Sequence, residues 1–339
     1  MQQEKGVFVL SLDTELAWGS FDLELYEKLK NDFENTRYCI ARLIELLCKY
    51  KIKATFALVG HLMLDRCSEK NGIRHKEIIR PKFSWYNKDW FSEDPSSSIQ
   101  EAPHWYGTDI LMQIREAQPK HEIACHSFCH IIYGDPGCSE ECAESDIAAA
   151  VETAKIHGIN LTTFIFPRNS EGHKALLKKY GFIAYRGNGN EWYSTFKNNK
   201  LKKICHFVDE MLSISPKTSK LQADEYGLYN TTGNMLYLSR QGIRKIIPIS
   251  SRIRKAKKGI RRAIERGEVF HMWFHPFNLA SDPEGLLKGL EKIFAYVRMK
   301  IDSGQLINYT INELCEKQSG AVAVNVGILN ENRGVTSQA

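Results

Sequence analysis

The feature that most constrains this chain is a series of short apolar runs, β-branched or aromatic, each bounded by polar or turn-forming residues and separated by longer amphipathic stretches. Val7 to Leu12, Lys53 to Val59, Glu122 to Cys125, Thr162 to Phe166 and Glu268 to Phe274 are too short for core helices and read as buried strands. Asn35 to Tyr50, with Ile40, Leu43, Ile44, Leu46 and Leu47 on overlapping faces, and Ser145 to Gly158 read as helices. This alternation predicts an α/β fold whose parallel sheet is covered on its faces. With 339 residues, 43% of them hydrophobic, the chain can build one elaborated α/β barrel or two smaller domains.

Three of these strands end in residues able to carry chemistry. Phe8 to Leu12 runs into Asp13-Thr14-Glu15; side chains two apart on a strand share a face, so both carboxylates project together where α/β barrels place active sites. Acids at a strand end also serve as turn or capping residues. Ile123 to Cys125 runs into His126-Ser127-Phe128-Cys129-His130, and two histidines four apart on a helical turn can share one metal ion, although ordinary polar histidines share that spacing. Val269 to Phe274 runs into His275-Pro276. The proline holds His275 extended and ends the strand, leaving its imidazole at the rim, while His271 reads as an internal, satisfied histidine.

In this order, Asp13-Thr14-Glu15, His126-Ser127-Phe128-Cys129-His130, Phe166-Pro167-Arg168-Asn169 and Phe274-His275-Pro276 resemble the motifs of the polysaccharide deacetylase family, the NodB-homology or carbohydrate esterase family 4 proteins. The resemblance spans residues 7 to 280 and implies a distorted (β/α)7 barrel with a divalent metal, commonly zinc. It implies Glu15, His126 and His130 as metal ligands, Asp13 as general base, His275 as general acid and Arg168 as the cation that keeps Asp13 ionised. Two motifs depart from the common form. Ser11-Leu12-Asp13-Thr14 stands where Thr-Phe-Asp-Asp is usual, matching a divergent Asp-x-(Asp/Glu) pattern, and Phe166-Pro167-Arg168-Asn169 replaces Arg-x-Pro-Tyr.

The implied reaction is metal-assisted hydrolysis of an N-acyl group on a sugar, in the making of a surface glycan from precursors. A deformylase, another C–N hydrolase on the same barrel, and an inactive carbohydrate- or membrane-binding relative are the alternatives. Aromatic rings that stack on sugars are expected from Trp18, Trp105, Tyr106 and Trp273, with Trp85 and Trp90 as further candidates. Two irregular stretches, about 67–110 and 187–266, read as insertions into a single barrel of residues 1–320, and 321–339 reads as a tail.

Nine cysteines, an odd number, favour free thiols over a disulfide framework. Cys125, Cys129, Cys138 and Cys142 form a C-x3-C-x8-C-x3-C pattern that offers an alternative thiolate zinc site. The net charge of +6 conceals an uneven distribution: residues 240–266 hold eleven Lys and Arg against one acid, Glu265. That stretch reads as a solvated helix face, or as a contact with an anionic membrane that would suit a nucleotide- or polyprenyl-phosphate-linked sugar. No familiar nucleic-acid motif accompanies it, so nucleic acid is not an expected partner. The start lacks a signal-peptide apolar region, which gives the expectation of a cytoplasmic protein, peripheral at the inner face of the membrane if the basic stretch docks there.

Overall fold

The computed structural model describes residues 4–23, 26–189 and 191–320; the stretch read as a tail lies outside them. Its centre is β1 (Gly6–Thr14), buried almost throughout. β1 pairs in parallel with β2 (Thr55–Leu58) on one side and β9 (Val269–Phe274) on the other. β3 (Glu122–Cys125), β4 (Thr163–Ile165) and β5 (Ala184–Arg186) continue in parallel beyond β2. All five runs predicted as strands contain strands here, and β5 joins them.

The two edges of this sheet meet through one stretch of chain. β7 (Tyr229–Asn230) pairs with β5, and β8 (Met235–Leu236), a few residues on, pairs with β9. Between and beyond them, Thr231 N–H donates to Tyr185 O (2.9 Å), Asn234 N–H to His271 O (2.9 Å) and Tyr237 N–H to Trp273 O (2.9 Å). Residues 229–237 therefore act as an interrupted seventh strand, and the architecture is a distorted (β/α)7 barrel. β6 (Gln222–Ala223) and β10 (Leu306–Asn308) are short additions to β7 and β1.

Side-chain parity divides the core in two. One face of the strands presents Val9, Ala57, Ala124, Ile165 and Ala184, small enough to fill the inside of a narrow barrel. The other face joins the larger cluster of Phe8, Leu10, Phe56, Phe164 and Phe270, which packs under helices α1 (Tyr26–Lys49), α3 (Glu140–Ile156), α6 (Ile249–Arg266) and α7 (Pro283–Asp302). α6 lies so close to β9 that a Cβ on Gly259 would stand 2.3 Å from the Phe270 ring.

The stretch 187–266, read from the sequence as an insertion, contains the interrupted strand that joins the sheet edges and the helix that covers β1 and β9. Its basic residues also divide. Arg252 is fully buried and donates to the carbonyls of Leu238, Ser239 and Ile247, and Lys255 is buried against Asp209 and Glu210 of α5 (Asn199–Leu212). Arg240 pairs with Asp282 at 2.6 Å, whereas Arg244, Lys245, Arg254, Arg261 and Arg266 face solvent. A membrane-facing stripe would need the charge on one outer surface, and part of it is spent inside. No helix among the described residues is long and apolar enough to cross a membrane.

The stretch from Leu64 to Gly107, between a 3-10 turn at Gly60–Met63 and α2 (Thr108–Glu116), forms no helix or strand longer than isolated bridges. It is nevertheless well packed, with Phe83, Trp90, Phe91, Trp105 and Tyr106 buried.

Candidate active site

At the carboxyl ends of the strands lies a cleft of about 750 Å³, lined among others by Asp13, Glu15, His130, Arg168, Trp273 and His275. The inward parity of β1 that buries Val9 continues through Ser11 to Asp13. β9 carries Val269, His271 and Trp273 on the same inward course, with His275 two residues further.

Glu15 is the meeting point. Its Oε2 lies 3.2 Å from His126 Nε2 and 2.9 Å from His130 Nε2, and its Oε1 lies 3.3 Å from His275 Nε2. The histidine pair is brought together by a loop and not by the helical turn expected from its spacing: Ser127 and His130 both adopt positive φ. What holds that loop is Asp146 on α3, fully buried, which accepts from Phe128 N–H (2.9 Å), Cys129 N–H (3.1 Å) and Tyr133 O–H (2.6 Å). His126 Nδ1 donates to Ile165 O at 2.7 Å, and this leaves its Nε2 lone pair toward Glu15. Two imidazole nitrogens and a carboxylate oxygen, all within 4.8 Å of one another, form a donor set suited to a divalent cation.

Arg168 does not reach Asp13. It sits at positive φ in the turn after β4 and runs along the rim to Asp22, 2.7 and 2.6 Å from its two carboxylate oxygens. The cation beside Asp13 is Arg186 at the end of β5, whose Nη1 and Nη2 each donate to Asp13 at 2.6 Å. Arg186 also reaches Ser11 Oγ (3.1 Å) and Asn169 Oδ1 (3.0 Å), and its guanidinium lies 4.1 Å from the centre of the Trp273 ring. The sequence does hold a signal for Arg186. It stands two residues after the small, inward-facing Ala184, and so on the barrel-facing course of a strand end. Arg168 carries the motif-like surroundings but sits in a turn, where parity gives no direction.

Burial works to raise the carboxyls of both Asp13 and Glu15. For Asp13 the charge and hydrogen bonds of Arg186 outweigh burial and hold it below the usual carboxylate range; for Glu15 the charges of His275 and His130 and the histidine hydrogen bonds hold it well below. His271, by contrast, is fully buried between Thr231 O (3.1 Å) and Ser11 Oγ (2.8 Å), and burial pushes it down to about 3.

The aromatic residues expected to stack on a sugar separate into two groups. Trp18, Trp105 and Tyr106 are core residues, 0%, 6% and 0% exposed, and do not line the cleft. Trp18 Nε1 donates to Trp105 O, and its ring meets those of Phe21, Phe91 and Trp105 edge-on. Trp90 is buried too and donates to Cys129 O (2.9 Å), while Trp85 is partly exposed and underlies Arg168. Trp273 alone of the four principal candidates lines the cleft, half-buried, beside His275. Cys125, Cys129, Cys138 and Cys142 are buried free thiols and, among the described residues, do not converge as a ligand set.

No family model matches this sequence, and no curated protein matches it. Solved structures do. A protein assigned as a polysaccharide deacetylase from Mycobacterium smegmatis superposes with a TM-score of 0.59 at 12% identity, covering 94% of this chain and 91% of that one. Another, from Pseudomonas aeruginosa PAO1, gives 0.55 at 11% identity over 91% and 89% of the two chains. A 4-alpha-glucanotransferase from Thermococcus litoralis gives 0.51 at 13% identity, over 93% of this chain and 41% of the other. The chain thus has the fold of the polysaccharide deacetylases. Because that fold also underlies a protein named for a different reaction, function has to be argued from the site.

Proposed function

We propose that this protein hydrolyses the N-acetyl group of an amino sugar in a glycan or glycan precursor, with Asp13 as general base and His275 as general acid. The observation that carries the reading is the convergence of Asp13, Glu15, His126, His130 and His275 on one cleft, with Asp13 locked by Arg186. A divalent cation held by Glu15, His126 and His130, zinc being well suited to this donor set, would polarise the acyl carbonyl and make water acidic enough to attack it. Asp13, kept anionic and oriented by the Arg186 fork, takes the proton of the attacking water. His275 Nε2, 3.7 Å from Asp13 Oδ2 and at the cleft wall, delivers a proton to the departing amine nitrogen. Trp273 offers an apolar face to a pyranose ring. Arg244, exposed and lining the same cleft, supports a substrate that carries a phosphate, such as a nucleotide- or polyprenyl-linked precursor; such substrates would place the protein in the cytoplasm, at or near the inner membrane face.

The test is acetate release by metal-reconstituted protein from a panel of N-acetylated nucleotide sugars, lipid-linked sugars and glycan oligomers. Release from at least one of them, lost in Asp13→Asn, is expected. Formate release from formamides without acetate release from any sugar would overturn the acetyl assignment, and no release at all would overturn the enzymatic reading.

A further inference from the structure

A second group of ligand-type side chains lies outside the cleft, and none of its members lines it. His61, Cys67, His75 and Asp94 place one donor atom each within 4.8 Å of all the others. We propose that these four residues form a structural metal site, tetrahedral and suited to zinc, which fastens the irregular stretch 64–107 to the barrel.

The spacing fits such a centre. Ligands at zinc-bond lengths on the corners of a tetrahedron stand about 3.3–3.8 Å apart. Here His61 Nε2 and His75 Nε2 are 3.2 Å apart, and Asp94 Oδ2 lies 3.5 Å from the first and 3.3 Å from the second. Cys67 Sγ lies 3.5 Å from that same Oδ2.

The surroundings of each ligand leave the inward-facing atom free to bind. His61 Nδ1 lies 3.2 Å from the Trp105 carbonyl and His75 Nδ1 lies 3.2 Å from Glu77 Oε1. Both of those oxygens only accept, so each Nδ1 carries its hydrogen and each Nε2 turns a lone pair inward, the outer-sphere arrangement of metal-bound histidines. Asp94 Oδ1 accepts from Ser96 N–H (3.0 Å), leaving Oδ2 toward the histidines. Tyr106 Oη accepts from Ser97 N–H (2.9 Å) and so has its own hydrogen to give to Cys67 Sγ, 3.1 Å away. The metal-free alternative joins the same groups with protons, a Cys67 S–H on Asp94 Oδ2 and a protonated imidazole paired with that carboxylate, in a space where the side chains of His61 and Asp94 are 0% exposed. The experiment below separates the two.

Four protein ligands, His61 and Asp94 buried and Cys67 and His75 half-buried, define a structural centre, whereas a catalytic one keeps a position open. The stretch it would fasten has 44 residues and no regular element, a length that rarely stays ordered without a constraint. His75 also borders a surface depression of about 180 Å³, which gives a metal a way in. The site matters to the cleft through contacts on the page. The Trp105 carbonyl beside His61 also receives Trp18 Nε1, and Ala17 N–H donates to His104 O (3.1 Å), so the stretch braces the turn directly after Glu15. His61 N–H donates to Phe128 O (2.9 Å), within the histidine loop.

The test uses the full chain loaded with zinc or cobalt(II), counted by elemental analysis after gel filtration. The wild type is expected to hold two equivalents, Cys67→Ser and Asp94→Asn one, and Glu15→Gln one, the Cys67 and Asp94 variants alone melting at lower temperature. In the wild type, cobalt is expected to show a thiolate-to-metal charge-transfer band that persists in Glu15→Gln. This spectrum needs no folded Cys67 variant. A wild type that holds one equivalent and loses it in Glu15→Gln would overturn the proposal, as would two cobalt equivalents without a charge-transfer band. Neither readout depends on catalysis, so failure here is distinguishable from failure of the proposed hydrolysis.

Discussion

Glu15, His126 and His130 converge at the floor of a cleft, whereas His61, Cys67, His75 and Asp94 converge inside a packed loop, and the two clusters draw on nearly the same donor chemistry. They differ in what surrounds them. The first supplies three ligands and lines the cleft with His275, 3.3 Å from Glu15, and with Asp13, 3.7 Å from His275. The second supplies four, each backed by its own outer partner, and is closed by the aromatic rings of Trp18, Phe91, Tyr106 and Phe128. Similar ligands therefore serve chemistry or architecture according to whether a position and a path remain for substrate.

The sharpest way to break the comparison is to disable the open cluster without disturbing the closed one. Asp13→Asn should lower kcat by about 10³-fold while both metal contents stay near wild type, with the melting temperature falling because the buried Arg186 loses its anion. Measured turnover near the wild-type value would remove Asp13 from the chemistry. Next in size is Arg186→Met, which leaves the Asp13 carboxylate buried without its cation. We expect a loss of about 10²-fold in kcat and of about 3–5 kcal/mol in stability by denaturant titration. Arg168→Met should chiefly raise KM, since its partner is Asp22; a larger kcat loss at Arg168 than at Arg186 would reverse the assignment.

Two tryptophans sharpen the seam between the clusters. Trp18→Ala should cost about 3–5 kcal/mol of stability, since the ring is buried against His61, whereas Trp273→Ala should act on KM with a smaller stability effect. If Trp18→Ala left stability unchanged and raised KM, its reading as a substrate contact would return. A pH dependence comes from histidines in neither cluster. Burial holds His271 down to about 3 and His121 and His206 down to about 4, so in acid the unfolded chain takes up protons that the folded chain refuses. Stability should be complete above about pH 6.5 and fall as the pH drops toward about 4, by at most about 1.4 kcal/mol per pH unit for each histidine. A flat stability curve across that interval in thermal melts would contradict their neutral burial.

Much of the fold was legible because burial leaves a local mark. Five strands were readable as apolar runs, and the residues just beyond three of them, Asp13, Glu15, His126, His130 and His275, do meet in one cleft. Strand parity is a property of consecutive residues and needs no knowledge of the neighbours. The interrupted strand at 229–237 was not legible, because its two pieces are each two residues long and are defined by hydrogen bonds to opposite edges of the sheet.

Composition and spacing thus determined the α/β class, the order of the strands' catalytic-type termini and the uneven charge, all of which depend on residues close in sequence. Tertiary structure decided which arginine faces Asp13: strand parity favours Arg186, the last residue of β5, but Arg168 sits in the turn after β4, where the sequence gives no direction to set against it. It decided that Arg252 and Lys255 turn inward, although a count of charges assigns both to a surface. It also gathered His61, Cys67, His75 and Asp94, whose separations of 6, 8 and 19 residues follow no short metal-binding pattern. The physical reason is common to all three: a long side chain, or a ligand on an irregular loop, is aimed by what packs around it, and that packing exists only once distant segments have met.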